Sequence, residues 1–234
     1  MKKLLCIILL SIVLLIAGQP SANAKIVKLI HTGYGASDII TVWGGGLDGV
    51  SGYAGVYILD TLEGESIPSF CIELSQTDPV GFTNYRTGDL GTAPVPTQFL
   101  GGGMGEEKAI YIEELFSKFY DSSWESNSSE YDVQAEAFAA AIWEIIYEDI
   151  PKSPAFYDVT IDGTDGQLGF RCTNADTGLA NSWLHLLDGT GVKVQVTALK
   201  SNLYRDYVTT AGIPEPATMC LLGIGGLIFI RRKI

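Results

Sequence analysis

The sequence predicts an α+β fold: antiparallel strands in the N-terminal half, two to three central helices, and a closing C-terminal strand. Three observations predict it. From Lys25 to about residue 100, β-branched and aromatic residues cluster between glycine and aspartate turns, as half-buried strands require. Between residues 106 and 149 the apolar spacing changes to three and four. Near the end, "VKVQVTAL" alternates, with Val192, Val194 and Val196 on one face. Strands, then helices, then a returning strand make a mixed fold with one core.

The elements follow in order. "KIVKLIHTGYG", "DIITVWGGG", "GYAGVYILDTL" and "SFCIELS" each read as a strand, the last carrying Cys71. The stretch from Thr77 to Gly105 is rich in Gly and Pro and reads as a long loop. In "EEKAIYIEELFSKFY", Ala109, Ile112, Phe116 and Phe119 form one apolar helical face, and Glu106 and Glu107 suit the positive end of the helix dipole. "SSEYDVQAEAFAAAIWEIIYED" predicts a second helix with Ser129 and Asp132 in a capping-box-like start. Its alanine-rich centre admits a close neighbour, while Phe138, Ile142 and Ile145 fill one face. "DTGLANSWLHLLDG" predicts a shorter third helix ended by Gly189.

The chain ends are different in kind. Lys2 and Lys3 precede the apolar run "LLCIILLSIVLLIAG", and Ala22-Asn23-Ala24 has the small-x-small pattern cut by signal peptidase. Residues 1–24 therefore read as a signal peptide, delivered to the Sec translocon and cleaved after Ala24. At the other end stands "IPEPATMCLLGIGGLIFIRRKI". Its apolar run, residues 217–230, is shorter than the roughly 20 residues that cross a bilayer comfortably. Pro214 and Pro216 bias the backbone around Glu215 toward an extended, accessible turn. Arg231, Arg232 and Lys233 form a stop-transfer basic tail that holds the terminus on the cytoplasmic side. Residues 209–234 thus read as a separate sorting segment, and residues 25–208 as a single extracellular domain.

Without the two ends, basic residues fall from 15 to 10 and acidic ones from 27 to 26, a formal charge of about −16 for the body. So acidic a body excludes nucleic acid as a partner, since phosphate neutralisation needs Lys and Arg. Cys6 and Cys220 lie in the terminal segments, leaving Cys71 and Cys172 as an even pair in an oxidising compartment. That predicts a Cys71–Cys172 disulfide, whose loop of about 100 residues is worth up to roughly 4.7 kcal/mol in the chain-entropy model. The alternative is a pair of buried thiols.

The C-terminal "PEPAT", followed by an apolar run and "RRK", resembles the PEP-CTERM sorting signal of Gram-negative bacteria, a motif also catalogued under an ice-binding-protein C-terminal label. The resemblance implies processing by exosortase, an integral-membrane cysteine transpeptidase. It further implies transient anchoring in the inner membrane and delivery to the cell surface or the exopolysaccharide matrix. Within the body, "FCIELSQ" and "AFAAAIWEIIYED" resemble the thioester-domain adhesins. In that family the motif Cys bonds to a Gln four residues before the helix Trp. Alignment on Trp143 puts Ala139 at the Gln position, and Gln134 lies about 7.5 Å farther along the helix axis. The resemblance therefore implies the fold without its thioester.

Other constellations lack the parts for chemistry. His31 and His185 are the two histidines, and no Ser-His-Asp order, HExxH or CxxC occurs. His185 within "WLHLL" reads as a packed core or boundary residue. Asp162 and Asp165 in "DGTDGQ" miss the EF-hand spacing and read as a turn. "GGGLDG" and "GGGMG" lack the Lys-Ser/Thr of a phosphate-binding loop. No catalytic residue, metal ligand or cofactor is predicted. The expectation is a non-enzymatic surface or matrix protein with an adhesive or structural role, its partners being exosortase and an exopolysaccharide or surface ligand. The alternatives are a covalent thioester adhesin using Cys71 and a secreted polysaccharide-acting enzyme.

Overall fold

The computed structural model describes residues 24–94, 103–149, 153–161 and 169–210. Seven strands and three helices are found: β1 (Ile26–Gly44), β2 (Leu47–Thr61), β3 (Ser66–Cys71), β4 (Thr83–Gly88), α1 (Glu106–Phe119), α2 (Asp132–Tyr147), β5 (Phe170–Thr173), α3 (Thr177–Leu184), β6 (Thr197–Lys200) and β7 (Tyr207–Thr209). The fold class is mixed α+β, as the sequence predicts.

All seven strands pair antiparallel, in the order β2-β3-β7-β6-β4-β1-β5, and β1 also pairs with β2. That extra ladder closes six of the strands into a ring, β1-β2-β3-β7-β6-β4, and removes the exposed edges an open sheet would carry. The 19-residue β1 makes this arrangement work. One edge pairs with β2 from Leu29 to Gly44, while the other takes β4 at Ile26–Leu29 and β5 at Thr41–Gly44. Register shifts between His31 and Gly33 and between Tyr34 and Ser37 bend it out of the ring part-way along. Gly55 of β2 lies opposite Ser37 at φ 138°, where a Cβ would collide with the Ala36 carbonyl.

The closed sheet creates two packing environments. The row Cys71–Tyr207 and the buried Leu29, Tyr57, Leu59, Ile67, Tyr85 and Leu199 face the inside of the ring. The adjacent row Val56–Phe70–Val208 faces outward, where Phe70 and Phe116 each meet the Phe138 ring with centroids 4.9 Å away. Helix α2 lies on this outer face, its residues from Ala135 to Tyr147 all buried. A helix buried on all sides belongs in a core.

The buried polar groups of the helices each fasten a neighbouring segment. Lys108 of α1 donates through Nζ to the Ile146 carbonyl at 2.7 Å and the Glu148 carbonyl at 2.6 Å, capping the C-terminus of α2. Glu144 accepts from the Asp158 amide and Glu136 from the Asp176 amide. Glu114, fully buried, accepts from the Gly189 amide at 2.7 Å and pairs with Lys118 at 2.6 Å.

Several details differ from the sequence expectation. The first two predicted strands are one bulged strand, because the glycines between them bend the ladder without ending it. The predicted long loop contains β4, which supplies Tyr85 to the ring interior. The returning strand begins at Thr197 and is followed by β7, while residues 192–196 lie outside any strand. Ser129 does not cap α2: the N-cap position is Tyr131, with no side-chain cap, and Asp132 instead accepts from the Ser37 amide at 2.9 Å.

Candidate functional site

Cys71 ends β3, where the chain leaves the sheet for the segment 72–78. Its carbonyl accepts a hydrogen bond from Trp143 Nε1 at 2.8 Å, so the motif cysteine and the helix tryptophan are in direct contact. The thiol is buried and donates to the Glu73 carbonyl at 3.2 Å. Burial pushes its pKa up to about 12, which outweighs the nearby Arg205 charge. A thiol held protonated is a poor nucleophile. Ala139 is buried in α2, and Gln134 sits near the N-terminus of that helix, with Oε1 buried and lacking a hydrogen-bond partner.

The predicted Cys71–Cys172 disulfide is not formed; both cysteines are free and buried. Topology gives the reason. Cys172 lies on β5, paired with Val42 of β1, whereas Cys71 faces the ring interior from β3. Three strand spacings separate β3 from β5 by way of β2 and β1, about 14 Å, well past the roughly 7 Å limit for Cα atoms of a disulfide. Burial also pushes the Cys172 thiol up to about 12, with Glu144 and Glu136 adding to it.

A polar cluster closes the ring beside Cys71. Arg205 donates through Nη1 to Tyr57 Oη at 3.0 Å and through Nε to the Gln76 carbonyl. Asp78 accepts from Tyr207 Oη at 2.9 Å and lies 3.7 Å from Arg205 Nε. His31 Nδ1 stands 3.9 Å from the other Asp78 oxygen, and its Nε2 contacts the Gly33 carbonyl. Burial, then Asp78, raises the Tyr207 phenol far above its usual range. These contacts tie β1, β2 and β7 to the segments after β3 and β6, so the cluster plugs the ring end. Next to it, a groove of about 200 Å³ runs between β2 and the segment after β3, lined by Val50, Tyr53, Leu74, Gln76, Trp143 and Arg205.

The remaining predicted residues are dispersed. His185 is exposed at the C-terminus of α3, with a ring nitrogen 2.8 Å from the Tyr157 carbonyl, so it is a capping residue and not packed in the core. Trp124 and Trp143 are buried, and Trp43 carries Arg171 at 4.1 Å over its ring. Ala24 is exposed, two residues before β1. Asp162 and Asp165 lie outside the described residues, as do the signal segment 1–23 and the sorting residues Pro214, Glu215, Pro216, Arg231, Arg232 and Lys233. Among the described residues no helix is long and apolar enough to cross a membrane, and no group of three or more His, Cys, Asp or Glu is placed to hold a metal ion. Sequence reasoning missed the Asp78–Arg205 plug, whose members flank short strands with little local signal of their own.

Residues 212–233 match the family described as the PEP-CTERM protein-sorting motif. The match includes the Pro-Glu-Pro turn, the apolar run and the basic tail. It identifies a chain that is exported and processed at the membrane by an exosortase. No curated protein and no solved structure matches the chain, so the resemblance of the body to thioester-domain adhesins has no counterpart among these comparisons.

Proposed function

We propose that the chain is a non-enzymatic protein of the cell surface or extracellular matrix, released from its membrane tail by exosortase and acting by adhesion or structural support. The sorting motif at residues 212–233 carries this reading. The sheet supports it: the last described strand, β7, ends at Thr209, so every pairing among the described strands is made before the matched motif begins. The state of Cys71 supports binding over covalent capture, since the thiol is protonated, buried and bonded to its own loop.

Replacing both Pro214 and Pro216 by alanine tests the reading in the native cell. The variant accumulates in the inner membrane fraction with its tail intact, while the parent chain reaches the outer fraction. Equal delivery of both chains to the exterior overturns the proposal.

A further inference from the structure

The body's charge is unevenly placed. Segments 25–37, 79–88 and 193–205 contain six of its ten basic residues and none of its 26 acidic ones. The ladders bring parts of all three together: Ile26 of β1 pairs with Arg86 of β4, and Arg86 pairs with Lys200 of β6. Tyr85, next to Arg86, and Leu199, next to Lys200, point into the ring, so the row Ile26–Arg86–Lys200 faces out. A cavity of about 360 Å³ opens there, walled by Thr83, Asn84, Arg86, Lys200, Ser201 and Asn202.

Neither cation of this cavity is neutralised. Arg86 donates to Asn202 Oδ1 at 3.0 Å and Lys200 to Thr92 Oγ1, and among the described residues neither takes part in an ion pair. Two like charges facing each other across adjacent strands disfavour the empty sheet and are relieved by an anion. The other wall groups are amides and hydroxyls, which donate to and accept from hydroxyl groups. The rim is apolar, with Ile26 63% and Leu203 76% exposed.

We propose that this cavity on the outer face of β1, β4 and β6 binds a sugar bearing a carboxylate, with Arg86 and Lys200 holding the anion and Asn84, Asn202, Thr83 and Ser201 holding the hydroxyls. A lipid headgroup would offer the same charge, but the topology disfavours it. Thr209 pairs with Thr197, so the chain leaves toward its tail at the Thr197 end of β6, opposite the Lys200–Leu203 turn. On the sorting reading proposed above, the tail starts at the end of β6 opposite the cavity, and its removal frees the body from the lipid surface. The charge and shape of the cavity do not depend on that reading.

Titration of the full chain in non-ionic detergent tests the site, with oligogalacturonate as the acidic sugar, a dextran oligomer as the neutral one, and short-chain phosphatidylglycerol as the lipid anion. Oligogalacturonate binds, weakens with added salt, and loses at least tenfold in affinity in the Arg86→Gln/Lys200→Gln chain. It keeps its affinity in Lys193→Gln, an exposed cation outside the cavity wall. Both substituted positions are on the outer face, so an unchanged melting temperature shows that the fold is intact. Failure to bind oligogalacturonate, equal binding of dextran, preference for the phospholipid, or full affinity in the double variant overturns the proposal. None of these outcomes bears on tail processing, which is read separately from the C-terminal peptide.

Discussion

Glu136 is 5% exposed and accepts a hydrogen bond from the Asp176 amide, just where Asp176 caps α3 through the Leu179 amide. Burial raises its pKa to about 7 from a model-peptide value of 4.5, and the carboxylates of Asp38, Asp176 and Asp132 add to the shift. A carboxyl whose folded pKa is raised stabilises the fold fully below about 4.5 and loses that contribution as pH rises through about 7. Glu136→Gln keeps the accepting oxygen and removes the charge. Its unfolding free energy in denaturant should exceed that of the parent by roughly 1–2 kcal/mol at pH 8, after allowance for solvent screening, and match it near pH 4.5. A parallel dependence of both chains on pH counts against this assignment. The cysteines offer a second residue-scale prediction. Both are buried, and burial takes each thiol to about 12. Iodoacetamide at pH 8 should leave Cys71 and Cys172 of the native chain unmodified and alkylate both after denaturation without reductant. Unmodified cysteines after that denaturation mean that a disulfide or thioester is present after all.

At the scale of elements, α2 is the beam on which the layers rest. Its Trp143 bonds the Cys71 carbonyl of β3, its C-terminus is capped by Lys108 of α1, and its Glu136 and Glu144 hold the segments before α3 and β5. Trp143→Phe leaves the Cys71 carbonyl buried without its partner and should lower stability by roughly 1–3 kcal/mol in chemical denaturation. Lys108→Met removes two charge-assisted bonds to carbonyls and should cost about 2–4 kcal/mol. The sequence made α1 and α2 legible because their apolar spacing is local, and the structure places α1 at Glu106–Phe119 as that spacing implies. The contact of Cys71 with Trp143 was foreshadowed by the two motifs that contain them. The short strands β4, β5 and β7 were not legible. "TNYRTG", "FRCT" and "YVT" carry few apolar residues, and their strand conformation comes from partners distant along the chain. Absence of the disulfide was hidden for the same reason: cysteine count and compartment say nothing of which strands lie between two thiols. Arg86 and Lys200 are likewise far apart in sequence, and only the β4–β6 ladder sets them side by side.

On the scale of the whole molecule, the chain is a folded body followed by a segment that matches a membrane-sorting motif. The ring of six strands closes at β7, and every described strand pairing is complete by Thr209, before the matched motif begins at residue 212. A chain ending at residue 211 should therefore melt at the same temperature as the full chain in the same detergent. A large drop would mean that the tail is part of the fold and not a label upon it. The body between the two terminal segments carries a formal charge of about −16, and net charge of that size keeps a folded domain dispersed. Exosortase processing is the claim on which the surface or matrix role depends, and C-terminal peptide mapping of protein collected outside the native cell tests it most directly. The account predicts that peptides containing Arg231, Arg232 and Lys233 are missing from that protein and present when the cell lacks its exosortase. External protein that still carries those three residues in cells with the enzyme would contradict it.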